Sequence, residues 1–215
     1  MRELTFRSLR ITIRVYGQIH ANLRVGYPSV PPDEKSDSPR NVHFFSPEKF
    51  LVETSPRSLD VSNFIWESRN SEIAPEEVFA SEYACVDTPA IVGAIRLGLN
   101  PRTTVFPIDV DSAVTRRRLA MSLLLHPWES LVLISRYYGK SYPSATDSES
   151  ISLWRREFQA ACPTAFRILF TERELYMVSE IQRHVTASPP NTRIAVYVGL
   201  SHIDAICDQL VLQCQ

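Results

Sequence analysis

The fold of this chain is decided by one stretch near its C-terminus, Arg193-Ile194-Ala195-Val196-Tyr197-Val198-Gly199-Leu200-Ser201-His202. Its five consecutive apolar residues, rich in β-branched and aromatic types, predict a strand that is buried on both faces. Gly199 ends the strand, where we expect a turn that a Cβ atom would obstruct. His202 follows the carboxyl end of the strand, which is the edge where open α/β sheets bind ligands.

The same pattern occurs near the N-terminus. Ile11–Tyr16 predicts a strand, Gly17 follows it, and His20 stands three residues beyond the glycine. Each histidine alone is more typical of a helix cap or of a satisfied edge residue. Two Gly-x-x-His motifs, each directly after an apolar run that contains Val-Tyr, favour a shared site. We therefore expect His20 and His202 to lie within about 8 Å of each other, close enough to share one metal ion or its water.

The composition is that of an ordinary globular protein, with 215 residues, 44% hydrophobic residues, 22% charged residues and a net charge of −1. This length fits one domain with a well-filled core. The low net charge provides no basic field for nucleic acid, and the one basic run, Arg116-Arg117-Arg118, is too short to provide it. We therefore expect no nucleic-acid partner.

Cysteine spacing and hydropathy bear on the compartment. The four cysteines, at positions 85, 162, 207 and 214, include no CxxC pair, which favours reduced thiols in an intracellular, reducing compartment. The longest apolar run, Leu119 to Ile134, is interrupted by His126-Pro127 and by Glu129, so we expect no transmembrane segment. The N-terminus is rich in arginine, a composition also seen in organellar transit peptides, which leaves a mitochondrial association open. Its β-branched residues and the Gly-x-x-His motif that follows favour a first strand instead.

Predicted strands and helices alternate along the chain, so the expected fold class is α/β: a single domain, residues 1–215, with a mixed central sheet flanked by helices. Further strands are predicted at Phe50–Val52 and at 103–109, the second at an edge or irregular because it contains Pro107. Two segments, the proline-rich residues 28–40 and the polar residues 139–150, predict exposed surface loops without regular structure.

Helices are predicted from their start signals and apolar spacing. The predicted helices begin at Pro75-Glu76-Glu77, at a cap formed by Asp111 or Ser112, around Trp154, and at Thr171, whose spacing to Glu174 matches a capping box.

Three carboxylates stand out as candidate functional groups. Glu53 follows one predicted strand, and Asp109 ends another. Arg57 lies four residues after Glu53. Glu53 is therefore either the partner of Arg57 in a plain ion pair, or a metal ligand or base that this counter-charge holds in place. Glu82 falls on or beside the apolar stripe of its predicted helix. Buried carboxylates are rare unless they are paired or bound to metal.

Taken together, these motifs resemble the TraB family, which is related to the Tiki and pheromone-shutdown proteins. The resemblance spans almost the whole chain in the family's order: Gly17 to His20, Glu53 with Arg57, Glu82 with Ala90, Gly93 and Ala94, Asp109 with Thr115, Arg117 and Arg118, Glu172 to Tyr176, and Gly199 to His202. The chain departs from the family pattern at Val110 and Glu174, and Pro89 interrupts the long helix.

The resemblance implies a divalent-metal-dependent peptidase or hydrolase, because Tiki relatives are regarded as metal-dependent proteases. His20 and His202 would be metal ligands, with Glu53 as a third ligand or as base and Glu82 as the alternate carboxylate. Arg173 and Arg57 would hold these acids or stabilise an oxyanion, and Asp109 would orient an imidazole. Zinc, manganese, cobalt and iron all suit such ligands.

Two other functions stay open at this stage. The first is a non-catalytic regulatory or organelle-surface protein that keeps the fold and binds a peptide, which the departures from the family pattern favour. The second is a small-molecule hydrolase resembling the distantly related erythromycin esterases.

Overall fold

The central sheet has five strands in the order β1-β2-β5-β3-β4, in a computed structural model that describes residues 2–6, 8–18, 47–57, 59, 104–136 and 148–212. The strands are β1 (Arg2–Phe6), β2 (Ile11–Gln18), β3 (Lys49–Val52), β4 (Thr104–Pro107) and β5 (Arg193–Gly199). β1 pairs with β2 in antiparallel fashion, and all other pairings are parallel. The prediction of an α/β fold with a mixed sheet flanked by helices is therefore confirmed.

β5 is the central strand, as its apolar sequence predicts. Every residue from Ile194 to Gly199 is buried. Parallel neighbours lie on both sides of it, with Gln18 of β2 opposite Gly199 and Val52 of β3 opposite Tyr197. The carboxyl ends of β2, β5 and β3 therefore lie at one edge of the sheet, and the loops that follow them are brought together there.

The two edge strands differ in how well the sequence predicts them. β4 is an edge strand of the described sheet, so the expectation of an edge is confirmed. Pro107 has no backbone N–H to donate, and an edge strand can lack this donor on its open side. β1 was not predicted, because its sequence, Arg2-Glu3-Leu4-Thr5-Phe6, carries more charged residues than a buried strand. Among the described strands it pairs with β2 alone, and Arg10, directly before β2, has a φ of 54°.

Six α-helices are described. They are α1 (Ser112–Leu125), α2 (Pro127–Arg136), α3 (Ser148–Ala161), α4 (Pro163–Phe166), α5 (Glu172–Thr186) and α6 (Ile203–Val211). The predicted cap at Asp111 is confirmed, because its Oδ1 accepts a hydrogen bond of 2.7 Å from Ala113 N. α3 begins at Ser148, so the last three residues of the predicted 139–150 loop are helical.

α4 and α5 are joined by a π-helical turn, Arg167–Thr171, and the three pieces run on without a break. Thr171 has helical dihedral angles and its side chain makes no capping hydrogen bond. The predicted capping box at Thr171 is therefore wrong, because the helix starts earlier, with Pro163 in its first turn. Glu174 consequently lies in the interior of a helix rather than at its start.

The main core packs one face of the sheet against α5 and α6. Ile13, Val196, Met177 and Ile206 are among its fully buried members. Cys162 and Cys207 are both free thiols, as predicted, and burial raises the pKa of Cys207 to about 11, which keeps this thiol protonated at neutral pH.

Several predictions fall on residues outside the described ranges. These are the loop at 28–40, the helix that begins at Pro75, and the sites at His20 and Glu82. In the described part of the chain, no helix has both the length and the apolar character needed to cross a membrane.

Candidate functional site

A cluster of charged side chains lies at the carboxyl edge of the sheet, where β3, β4 and β5 end. Glu53 directly follows β3, Asp109 follows β4 by two residues, and His202 ends a short 3-10 turn that begins after Gly199. All three side chains are buried, with exposed fractions of 3 to 5%. Their positions follow from the parallel arrangement of the strands, since each strand delivers its next polar residue to the same edge.

Glu53 is held from two sides. Its Oε1 accepts a hydrogen bond of 2.8 Å from Arg173 Nη2, and its Oε2 accepts one from the backbone N–H of Gly199. Gly199 has φ −56° and ψ 141°, a conformation that any residue adopts, so its dihedral angles do not explain why a Cβ atom would be excluded here, as predicted. The residue's contribution is its N–H, which fixes the carboxylate against the end of β5.

Arg173 joins the acids of two different strands. Besides Glu53, its guanidinium binds Asp109 through two hydrogen bonds, Nε to Oδ1 at 3.2 Å and Nη2 to Oδ2 at 2.5 Å. Its Nη1 donates to the carbonyl of Leu169, within the π-helical turn, at 3.2 Å. π-Helical turns within α-helices are frequent at functional sites. One guanidinium therefore ties the ends of β3 and β4 to the start of α5.

His202 is oriented by Glu174 of α5. Its Nδ1 lies 2.8 Å from Glu174 Oε1, and the same carboxylate accepts hydrogen bonds of 2.6 Å and 3.1 Å from Arg155 of α3. Arg155 Nη1 also donates to the carbonyl of Ser201 at 2.5 Å, which fixes the turn that carries the histidine. The Phe170 ring lies against the imidazole, with centroids 5.4 Å apart.

The contact between Glu174 and His202 fixes the tautomer of the imidazole. Burial by itself would raise the pKa of Glu174, but the hydrogen bonds and charges of His202 and Arg155 outweigh it and hold the pKa below its ordinary value. Glu174 is therefore an ionised carboxylate at neutral pH, which can only accept a hydrogen bond. Nδ1 must donate, so in the neutral ring Nε2 presents a lone pair.

The lone pair of Nε2 lies on the side of Glu53. His202 Nε2 is 3.5 Å from Glu53 Oε1, longer than a hydrogen bond of good geometry. Two ligand atoms bound at about 2.1 Å in a tetrahedral zinc site are about 3.4 Å apart. The pair of atoms is thus spaced as two ligands of one ion, and Glu174 stands in the place of the carboxylate that usually orients a ligating histidine.

The charges of the described cluster do not balance when the imidazole is neutral. Its three buried carboxylates, Glu53, Asp109 and Glu174, face two guanidiniums, those of Arg155 and Arg173. One net negative charge therefore remains among these five side chains, and Glu53 and Arg173 also make interactions beyond these contacts.

The structure brings together four residues that the sequence singles out: Glu53, Asp109, Arg173 and His202. Two details differ from expectation. Arg57 is exposed, whereas Arg173, the other guanidinium expected to hold these acids, contacts both Glu53 and Asp109. For the imidazole of His202, the expectation that Asp109 orients it is wrong, because the Asp109 oxygens accept from Arg173 and from Val110 N, and Glu174 orients this ring instead.

Sequence reasoning missed the roles of Glu174 and Arg155. Glu174 precedes the buried residues Val178 and Ile181 by four and seven positions, so it lies on the buried face of α5. A carboxylate on that face is a signal for a paired or ligating acid. No comparable signal marks Arg155, which is one of two adjacent arginines on a partly exposed helix.

Within the described ranges, no three histidine, cysteine, aspartate or glutamate side chains are grouped so that they could hold a metal ion together. The His202 and Glu53 atoms that lie 3.5 Å apart are therefore two neighbouring groups of the kind that bind metals, without a third beside them in the described residues. Comparisons of this chain with protein-family models, with curated proteins and with solved structures find no match.

Proposed function

We propose that this protein is a TraB-like, divalent-metal-dependent hydrolase that acts on peptides. One observation carries the proposal: a buried histidine whose Nδ1 is held by a carboxylate and whose Nε2 lies 3.5 Å from a second carboxylate, Glu53. This arrangement is that of a metal-ligand pair with an orienting acid.

In this proposal His202 and His20 are ligands, Glu53 completes the set or serves as base, and Glu82 is the alternate carboxylate. β2 and β5 are parallel neighbours, so the chain leaves Gln18 at the same edge as Gly199, which supports a contribution from His20. Arg173 keeps Glu53 turned toward the imidazole, and Asp109 holds Arg173 in place. A divalent ion at this position would lower the pKa of a bound water toward neutrality and polarise a scissile carbonyl.

A second function is favoured by a different observation. Each of the three carboxylates already accepts hydrogen bonds from an arginine, and Glu53 and Asp109 each accept a further one from a backbone N–H. A network satisfied in this way holds the fold without a metal ion. This supports the alternative of a non-catalytic binding protein that keeps the same architecture.

Metal content separates the two functions. We expect the full chain, purified without chelator or affinity metal, to contain about one divalent ion per molecule by elemental analysis. His202→Ala should lose the ion, whereas His126→Ala, which removes an exposed histidine at the end of α1, should keep it. Circular dichroism should establish that each variant is folded.

Folded wild-type protein without a divalent ion, or a His202→Ala variant that keeps it, would contradict the hydrolase proposal and favour the binding protein. If the ion is present, cleavage of a peptide library compared with hydrolysis of simple esters distinguishes a peptidase from the small-molecule hydrolase.

A further inference from the structure

A cavity of about 480 Å³ lies beside the cluster, between α3, the turn after β5 and the start of β1. This volume is within the usual range of ligand pockets. The proposed hydrolase chemistry assigns no role to it. It shares two residues with the surroundings of His202, namely Arg155 and Ser201.

The polar wall of the cavity is basic. Arg2, Arg155 and Arg156 line it, and Asp204 is the single acid among the lining residues. Arg2 pairs with Asp204 at 2.6 Å, and Arg155 pairs with Glu174 at 2.6 Å. For Arg156, no ion pair or hydrogen bond is found with the described part of the chain. The cavity thus offers the positive charge of Arg156 to a ligand.

The rest of the wall is mainly apolar. Ile151 of α3, Phe166 of α4, Leu200 of the turn after β5 and Ile203 of α6 supply its apolar side chains, and the uncharged polar residues that line it are Ser152, Gln159 and Ser201. An apolar surface beside one uncompensated guanidinium matches a ligand with a single negative charge and an aliphatic neighbour. Within a peptide, that combination is a carboxylate next to a hydrophobic side chain.

Arg155 connects the cavity to Glu174 and His202. Arg155 lines the cavity, binds Glu174, and donates to the carbonyl of Ser201, the residue before His202. A ligand in the cavity therefore lies one side chain away from the group that orients the imidazole. This is the position of a subsite for residues near a scissile bond.

We propose that this cavity is a subsite for a peptide carboxylate, either an acidic side chain or a free C-terminus, and that Arg156 is its specificity-determining residue. The proposal deepens the proposed function, on which it rests, by naming the class of peptide that the site takes. It predicts recognition of an acidic group flanked by an aliphatic residue.

Binding, rather than cleavage, tests the subsite separately from the chemistry. Three fluorescently labelled probes are titrated into the full chain in the presence of a chelator, with fluorescence anisotropy as the readout. The probes are Ala-Leu-Ala-Leu-Glu with an amidated C-terminus, Ala-Leu-Ala-Leu-Gln with a free C-terminus, and Ala-Leu-Ala-Leu-Gln with an amidated C-terminus. The first two each carry one carboxylate, and the third carries none.

We expect at least one carboxylate probe to bind about fivefold more tightly than the uncharged probe, as for a partly exposed charge pair. The preferred probe identifies the source of the carboxylate. Arg156→Gln should abolish the preference, Arg156→Glu should reverse it, and Arg136→Gln, an exposed arginine at the end of α2, should keep it. The preference should also weaken with added salt.

Equal binding of all three probes, no binding of any probe, or a preference that survives in Arg156→Gln would each overturn the subsite. Since no cleavage is measured and no metal is needed, these outcomes do not depend on whether the hydrolase proposal holds. A metal-free, inactive protein that still prefers the carboxylate probe would refute the enzyme and keep the subsite.

Discussion

Glu174 is the residue whose replacement tests the described cluster most directly. Glu174→Gln keeps the size of the side chain but removes the negative charge between Arg155 and His202. Removing one partner of a buried ion pair costs about 3 to 5 kcal/mol of unfolding free energy. Here the Arg155 side chain is 17% exposed and keeps its hydrogen bond to Ser201, so we expect a loss near the lower limit, about 3 kcal/mol.

Urea unfolding of the full chain at pH 7, followed by circular dichroism, measures this loss. With a slope of about 2 to 3 kcal/mol/M, the midpoint should fall by about 1 to 1.5 M. Glu172→Gln is a matched control on the same helix. Its ion pair with Arg118 is at the surface, with side chains 30% and 55% exposed, so its replacement should cost less than about 1 kcal/mol.

A double-mutant cycle isolates the pair. Arg155→Met alone leaves the buried Glu174 carboxylate with His202 as its remaining partner, whereas the double variant Arg155→Met, Glu174→Gln buries no unpaired charge in that pair. We therefore expect the double variant to lose less than the sum of the single variants, by about 2 kcal/mol. Additive losses, or a Glu174→Gln cost below that of the Glu172→Gln control, would refute the role assigned to this ion pair.

The pH dependence of the same variants has a defined sign. The pKa of Glu174 is lowered in the folded protein, so its contribution to stability is full above its ordinary value of 4.5 and is lost as the pH falls through the lowered value. The stability difference between wild type and Glu174→Gln should therefore be largest at neutral pH and narrow below pH 4.5. A difference that grows on acidification would contradict the assignment.

Three further predictions concern neighbouring residues, each measured by urea unfolding. Arg173→Met should cost about 3 to 5 kcal/mol, because it leaves the buried carboxylates of Glu53 and Asp109 without their shared counter-charge; a cost below 1 kcal/mol would argue against a buried pair. Asp111→Ala should cost about 1 kcal/mol, since it removes the cap of α1, and no change would mean that the cap is dispensable. Thr54→Val should raise stability by about 1 kcal/mol, because the Thr54 hydroxyl is buried and has no hydrogen-bond partner among the described residues; a decrease would show that the hydroxyl does have a partner.

The sheet could be predicted largely from sequence because its signals are local. A continuous apolar run such as Ile194–Val198 has one stable location, the middle of a parallel sheet. The polar residues that directly follow such runs are then placed at the same edge by topology alone. Glu53, Asp109 and His202 were predictable for this reason, and no knowledge of side-chain contacts was needed.

The partners of these residues could not be predicted in the same way, because they depend on contacts distant in sequence. The spacing of Glu174 to Thr171 predicts a helix start at Thr171. In the structure the helix already begins at Pro163, eight residues before Thr171, and the sequence near Thr171 does not reveal this. Arg155 is adjacent to another arginine, and only the packing of α3 against the turn after β5 distinguishes the two. The choice between Arg57 and Arg173 for Glu53 depends likewise on where α5 begins.

The register of β2 and β5 sets how much the structure supports a site shared by the two Gly-x-x-His motifs. Gly17 pairs with Val198 and Gln18 with Gly199, so the two glycines are offset by one residue. Neighbouring strands are about 4.8 Å apart, and the chain advances at most about 3.5 Å per residue. His20 is two residues beyond Gln18, and His202 is three residues beyond Gly199. The Cα atoms of the two histidines can therefore be no more than about 22 Å apart. This limit is wider than the 8 Å that a common ion requires, so the shared site stays a prediction. The metal content of His202→Ala tests it from the side of the described residues.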